Sequence, residues 1–198
     1  MDSNEITAVL RNEPASHAVF RGVYAQNELR QAISKCERMG APGAFVINTD
    51  PATQPGEHWL AIFYNDALEF EFFDTYDAPP SVYGFVGPWN FTNTNTRKVQ
   101  SLTSDACGQH CIFYIHERCL HPTVKDPYVQ FPRGTPVEEI DAAVKRYVVK
   151  LQNDESQSGN GAARMTYAGG FRQISNTYAH YRKLMDTRAY KPEHDARK

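Results

Sequence analysis

Long hydrophobic runs are absent from this sequence. No apolar stretch approaches the roughly 18 residues that span a bilayer. Glu5, Arg11 and Glu13 interrupt the short apolar stretches of the first 30 residues, so no signal peptide is visible. The expectation is a soluble, intracellular protein with no membrane partner. Cysteine is scarce, with four in 198 residues. Cys107, Cys111 and Cys119 crowd into 13 positions, apart from Cys36, a spacing unsuited to a secreted disulfide framework. Free thiols in a reducing compartment fit better. There is no C-x-x-C pair, which weakens a structural-zinc reading, and no internal repeat is evident.

With 41% hydrophobic residues the chain can bury one core. The net charge is −2, but it is unevenly distributed. Residues 164–198 hold eight Lys/Arg against three acids, an excess of +5 that leaves −7 on the remainder. A basic tail on an acidic body suits an anionic partner such as nucleic acid. A solvated helical face accounts for the same charges equally well.

Two helices are expected early, over Asn4–Arg11 with Ser3 as N-cap and over Glu28–Arg38. Ala44–Thr49 reads as a strand, and Asp50–Glu57, with two prolines and a glycine, as a loop. His58–Tyr64 and Leu68–Asp74 read as strands joined by Asn65-Asp66-Ala67, short enough for a hairpin. In the second, Leu68, Phe70 and Phe72 alternate with Glu69 and Glu71, which predicts one buried and one solvated face. The span from Asp77 to Asn95 is loop-rich, and Arg97–Leu102 is expected as a short strand. Ala106–Leu120 is the most apolar helix, capped by Ser104 or Asp105. Val137–Leu151 is amphipathic, with Ile140, Val144, Tyr147, Val148 and Leu151 on one stripe. The fold class is α+β: a central mixed sheet against a buried central helix, with flanking helices. The body covers residues 1–153; residues 154–198 add a flexible loop at 154–161 and a basic helical segment, with a last helix at Gln173–Met185, packed on the same domain.

Chemistry gathers at four residues. Cys107 opens the apolar helix, where unsatisfied N–H groups and the positive end of the macrodipole favour a thiolate. The same N–H groups can donate to an oxyanion, and Gly108 lets a carbonyl approach closely. Taken singly, a buried structural thiol is the commoner account of such a cysteine. His58 stands at a strand start beside Trp59, which could wall a cleft; alone, it too is more often structural. Asp74 ends the paired strand, so a hairpin brings His58 and Asp74 to one open end. An acid there can accept the imidazole Nδ1–H and fix the tautomer for base action. Gln100, seven residues before Cys107, is a second oxyanion donor by position.

The order His58-Trp59, Asp74, Gln100, Cys107-Gly108 resembles adenain, the adenovirus-type cysteine endopeptidase family, and its wider clan of ubiquitin-like-modifier proteases. Phe20-Arg21-Gly22-Val23-Tyr24 resembles the family's early Phe-x-Gly-x-Tyr element. Val46-Ile47-Asn48-Thr49 leading into His58-Trp59 is similar to its Val-Asn-Thr … His-Trp segment. Val99-Gln100 followed by Ala106-Cys107-Gly108-Gln109-His110-Cys111 is similar to its Val-Gln, six residues, Cys-Gly-x-x-Cys. These anchors cover residues 15–120. The resemblance implies a cysteine endopeptidase of virion maturation. Cys107 would be the nucleophile, His58 the base, Asp74 its orienter, and Gln100 with the Cys107 N–H the oxyanion hole. Trp59 and Gly108 would border the substrate cleft. Substrates would be viral precursor polypeptides cut at short Gly-containing sites preceded by an apolar residue, in the virion and host nucleus.

The sequence departs from that pattern in two places. Asp74 stands where adenain carries Glu, which preserves the role. The family's activating viral peptide is disulfide-linked upstream of the glutamine, but residues 77–99 contain no cysteine. That stretch offers no cysteine for such a tether, so an activating peptide of the kind that the resemblance implies would bind non-covalently. The family's DNA cofactor finds local support only in the basic residues of 164–198. No metal or other cofactor is required by the sequence. Three other readings stand beside this one. Asp105-Ala106-Cys107-Gly108 resembles the Asp-Cys-Gly of deubiquitinase- or deSUMOylase-type proteases, with an inserted alanine. Cys107, His110, Cys111, His116, Cys119 and His121 could instead staple a zinc-dependent nucleic-acid-binding module. A catalytically silent relative that only binds is the third, and the intact His58, Asp74, Gln100 and Cys107 argue against it.

Overall fold

A computed structural model describes residues 1–158. The helix expected at Gln173–Met185, the basic stretch 164–198 and the end of the expected loop lie outside the described residues. The fold is α+β. Its elements run α1 (Ser3–Asn12), α2 (Pro14–His17), β1 (Phe20–Tyr24), α3 (Leu29–Met39), β2 (Gly43–Asn48), β3 (Trp59–Tyr64), β4 (Phe70–Phe73), β5 (Phe91–Asn93), α4 (Cys107–Leu120) and α5 (Val137–Ser158). Among the described residues no helix is long and apolar enough to cross a membrane.

The five strands form one mixed sheet in the order β1-β2-β3-β4-β5. β1–β2 and β4–β5 are parallel, whereas β2–β3 and β3–β4 are antiparallel. Helices cover both faces. On one, Ala44, Val46, Ala61, Phe63 and Phe73 meet Ile112–Ile115 of α4, with α1 and α5 closing around them. On the other, Phe45, Ile47, Leu60, Ile62, Phe70 and Phe72 meet Leu29, Ala32, Ile33 and Cys36 of α3. A sheet covered twice needs apolar residues at consecutive positions, which is why β2 is buried along its whole length. The α5 stripe is buried as its spacing predicts at Ile140, Val144, Val148 and Leu151.

Several local expectations are corrected. The N-cap of α1 is Asp2, not Ser3; Asp2 accepts from Asn4 and Glu5 N–H, and Glu5 returns the bond to Asp2 N at 2.7 Å. β4 has no solvated face: Glu71 is fully buried and paired to Arg118 of α4, Oε2 to Nε at 2.8 Å. Arg97–Leu102 is not a strand. Instead Arg97 donates to the carbonyls of Tyr128, Phe131 and Pro132, holding the chain against a neighbouring loop. α5 continues to Ser158, beyond the break expected at Asp154.

Candidate active site

The β3–β4 pairing places Ala61 opposite Phe73. His58 and Asp74 lie just past the paired residues at that end of the sheet. The backbone fixes His58: Thr49 N–H at the end of β2 donates to the His58 carbonyl at 2.9 Å. The loop before it turns through Gly56 at φ +79°, where an added Cβ would lie 2.4 Å from Asn48 Nδ2. That turn is closed by Glu57 N–H on Asp50 Oδ2 at 2.7 Å.

His58 Nε2 lies 2.7 Å from Asp74 Oδ1. Asp74 therefore meets Nε2 rather than the Nδ1 expected from the sequence, which leaves Nδ1 for the sulfur. Asp74 is buried and also accepts from Tyr76 N–H on Oδ1 at 3.2 Å. Its Oδ2 accepts from Ala78 N–H and Tyr83 O–H, both at 2.9 Å. Burial opposes its charge, but His58 and the two backbone donors outweigh it and hold the carboxyl below its ordinary value. Tyr76 stacks at 5.0 Å from the His58 ring, tilted by 30°. Tyr76 and Tyr83 had no distinguishing signal in the sequence among eleven tyrosines.

Cys107 is the first residue of α4 and is half-buried, within hydrogen-bonding reach of His58. Burial alone would raise its thiol. His58 and the backbone N–H groups of Trp59 and Gly108 overcome that and lower it below the ordinary value. The other three cysteines go the opposite way, for burial pushes Cys36 up to about 11, Cys119 up to about 12 and Cys111 well above its ordinary value. His58 responds in kind. Burial alone would lower it, but Asp74 and the Cys107 sulfur raise it to about 9. Both shifts favour a thiolate–imidazolium pair, with the buried Asp74 carboxylate holding the imidazole.

The expected side-chain cap of α4 is absent: its N-cap is Ala106, without a side-chain hydrogen bond. Ser104 Oγ instead accepts Ala106 N–H at 3.2 Å, one residue too early to occupy the first turn of the helix. The first turn of α4 is therefore left without a side-chain cap, and its Gly108 N–H meets the Cys107 sulfur. Gln100 is buried, and its Nε2 donates to the Ser104 carbonyl at 2.8 Å. That uses one of two amide hydrogens, and its Oε1 has no hydrogen-bond partner among the described residues.

Gly108 has its side-chain face filled by Met1 Cβ at 3.2 Å and Ile6 Cδ1 at 3.4 Å, so the glycine admits α1 against α4. What it presents to the sulfur is its N–H, not an open face for a substrate carbonyl. Trp59 donates Nε1–H to the Met1 carbonyl at 3.2 Å. It lines a cavity of about 240 Å³ with Tyr24, Glu28, Asn48, Asp50 and Pro55, next to His58.

The residues of the zinc alternative point elsewhere. His110 contacts Tyr128 and Asp141, and His116 contacts Tyr147 and Glu13. Among the described residues no group of three or more His, Cys, Asp or Glu side chains is arranged to hold a metal ion. No family model matches the chain, and no curated protein matches its sequence.

Proposed function

We propose that this chain is a cysteine endopeptidase. One observation carries the reading: His58 is held by Asp74 at 2.7 Å on one ring nitrogen and meets the only lowered thiol, Cys107, with the other. A thiolate beside an imidazolium is the resting state that thiol acyl transfer needs.

The Cys107 thiolate adds to the scissile carbonyl carbon, forming the C–S bond and an oxyanion. The Cys107 N–H and the second Gln100 amide hydrogen are the donors offered to that oxygen. Collapse breaks the C–N bond as His58 Nδ1–H protonates the departing amine. Neutral His58 then takes a proton from water, whose oxygen adds to the thioester carbon. Cleavage of the C–S bond releases the carboxylic acid and restores the ion pair. Asp74 stays ionised throughout and holds the ring.

The resemblance of residues 15–120 to adenain narrows the substrates to precursor polypeptides of a virus, cut at short Gly-containing sites. It also points to the virion and host nucleus, with the basic stretch 164–198 available to nucleic acid. The test is hydrolysis of Gly-containing peptides preceded by an apolar residue, set against ubiquitin-like conjugates. Cys107→Ala and His58→Ala should each abolish cleavage while the protein remains folded. Comparable activity in Cys107→Ala overturns the mechanism, and cleavage of the conjugates alone moves the enzyme to the modifier-protease branch.

A further inference from the structure

His110 lies one turn after Cys107 on α4, is fully buried, and takes no part in the chemistry above. Its Nδ1 lies 2.6 Å from Tyr128 Oη and its Nε2 lies 2.7 Å from Asp141 Oδ1 on α5. The protons in this chain can be assigned. Burial opposes the charge on Asp141, but His110 and the Ser101 N–H keep the carboxyl below its ordinary value, so it only accepts. Nε2 therefore carries hydrogen. Burial lowers His110 and leaves the ring neutral, so Nδ1 is bare and receives the Tyr128 O–H. The direction runs from Tyr128 to His110 to Asp141.

The other carboxylate oxygen reaches the loop before the nucleophile. Asp141 Oδ2 accepts the Ser101 N–H at 3.1 Å, and this bond is buried. Ser101 follows Gln100, whose amide holds the Ser104 carbonyl at 2.8 Å. One turn along α5, Lys145 Nζ meets Asp105 Oδ1 at 2.8 Å on the surface. The segment from Gln100 to Ala106 is thus gripped by α5 near both ends, and its buried grip is oriented from the first turn of α4.

We propose that Asp141, oriented by His110, is a positioning residue for the peptidase reaction, fixing the Gln100–Ala106 segment and through it the oxyanion donors beside Cys107. The proposal rests on the peptidase reading. It assigns a purpose to the second Asp–His pair: it never meets substrate, yet it sets where the carbonyl oxygen is received. An asparagine at 141 presents one acceptor to two donors, so either Ser101 N–H loses its partner or His110 must move its proton to Nδ1 and give up the Tyr128 O–H. A misplaced donor slows only the steps that build negative charge on a carbonyl oxygen.

Alkylation of Cys107 by iodoacetamide needs the thiolate but no oxyanion hole, whereas acylation by a Gly-containing peptide amide needs both. In Asp141→Asn, single-turnover acylation should fall about tenfold or more, with alkylation unchanged to within about twofold and unchanged in pH dependence. Lys145→Met, a surface change that spares the core, should lower acylation by about two- to threefold with the same selectivity. The proposal is overturned if acylation and alkylation fall together, as general loosening of the fold would cause, or if neither falls. If Asp141→Asn does not fold, Lys145→Met decides by the same criterion. Wild-type protein that hydrolyses no Gly-containing amide removes the peptidase reading and this proposal with it. Wild-type hydrolysis with unaffected variants overturns the proposal alone.

Discussion

His58 meets Asp74 through Nε2, 2.7 Å from Oδ1, and so leaves Nδ1 as the ring nitrogen free to serve the Cys107 sulfur. The carboxylate does more than accept one hydrogen bond. Each of its oxygens also receives a backbone N–H, from Tyr76 on Oδ1 and Ala78 on Oδ2. Backbone donors cannot be reversed, so both positions demand an acceptor.

Asp74→Asn follows directly. Whichever way the amide turns, its NH2 faces a backbone N–H, and in one orientation it also faces the His58 ring nitrogen. Activity should fall by about 10²-fold or more through loss of the correct tautomer. Stability should fall by about 1–3 kcal/mol through the unsatisfied donors. Steady-state cleavage and urea unfolding measure the two effects separately.

The pH dependence has a defined sign. Cys107 lies below the ordinary thiol value of 9.0 and His58 is raised to about 9, so the ion pair persists between the two. Because the groups interact, the two limbs of the activity profile belong to the pair. Activity should rise on the acid side as the thiolate forms and fall as pH passes about 9. His58→Ala should move the Cys107 alkylation midpoint upward, and at pH 7 iodoacetamide should label Cys107 ahead of Cys36, Cys111 and Cys119. Stability runs in parallel. The raised His58 contributes fully below its ordinary 6.5, and that contribution is lost as pH rises through about 9. The lowered Asp74 contributes above its ordinary 3.8, and that is lost as pH falls through its depressed value. Thermal unfolding across this range checks both signs.

Gly56 is the hinge that delivers His58. An alanine there must adopt a φ near +79° and bring its Cβ to 2.4 Å from Asn48 Nδ2. Asn48 cannot simply swing away, because its Oδ1 accepts Asp50 N–H at 2.9 Å. Gly56→Ala should cost about 1–3 kcal/mol. Displacement of His58 should slow acylation and alkylation together, in contrast to the selective loss expected for Asp141→Asn.

The candidate-site end of the hairpin was legible because β3 and β4 are adjacent in sequence and joined by a short turn. Counting residues alone brought His58 and Asp74 together. The place of Cys107 at a helix start was legible from the apolar run between Asp105 and Pro122, but its role was legible only from its order and spacing after His58, Asp74 and Gln100. What could not be read depended on distant partners. Which imidazole nitrogen meets Asp74 depends on the ring's approach from the end of the sheet. Asp141 lies 34 positions beyond Cys107 on another helix, with nothing local to link it to Ser101. The empty cap of α4 reversed a sound local rule, since Ser104 turned its hydroxyl to Ala106 and left the first helical turn to the sulfur. Glu71 misled for a similar reason: alternation with phenylalanines signals a solvated face only while no cation comes from the other side.

That cation gives the last prediction. Arg118 is nearly fully buried, donates Nε–H to Glu71 Oε2 at 2.8 Å and Nη2–H to Oε1 at 3.1 Å, and sits 4.7 Å over the Phe63 ring. Its Nη1 donates to the carbonyls of His121, Pro122 and Val124, closing the C-terminal end of α4. Arg118→Met strands Glu71 as a buried charge, so it should cost about 3–5 kcal/mol. Replacing both partners removes that charge, and Arg118→Met with Glu71→Leu should recover part of the loss. Recovery stays partial because the three carbonyls remain without their donor. Urea unfolding of the two single variants and the double variant gives the coupling energy. Because the pair lies at the opposite end of α4 from Cys107, cleavage per folded molecule should stay at the wild-type value in all three.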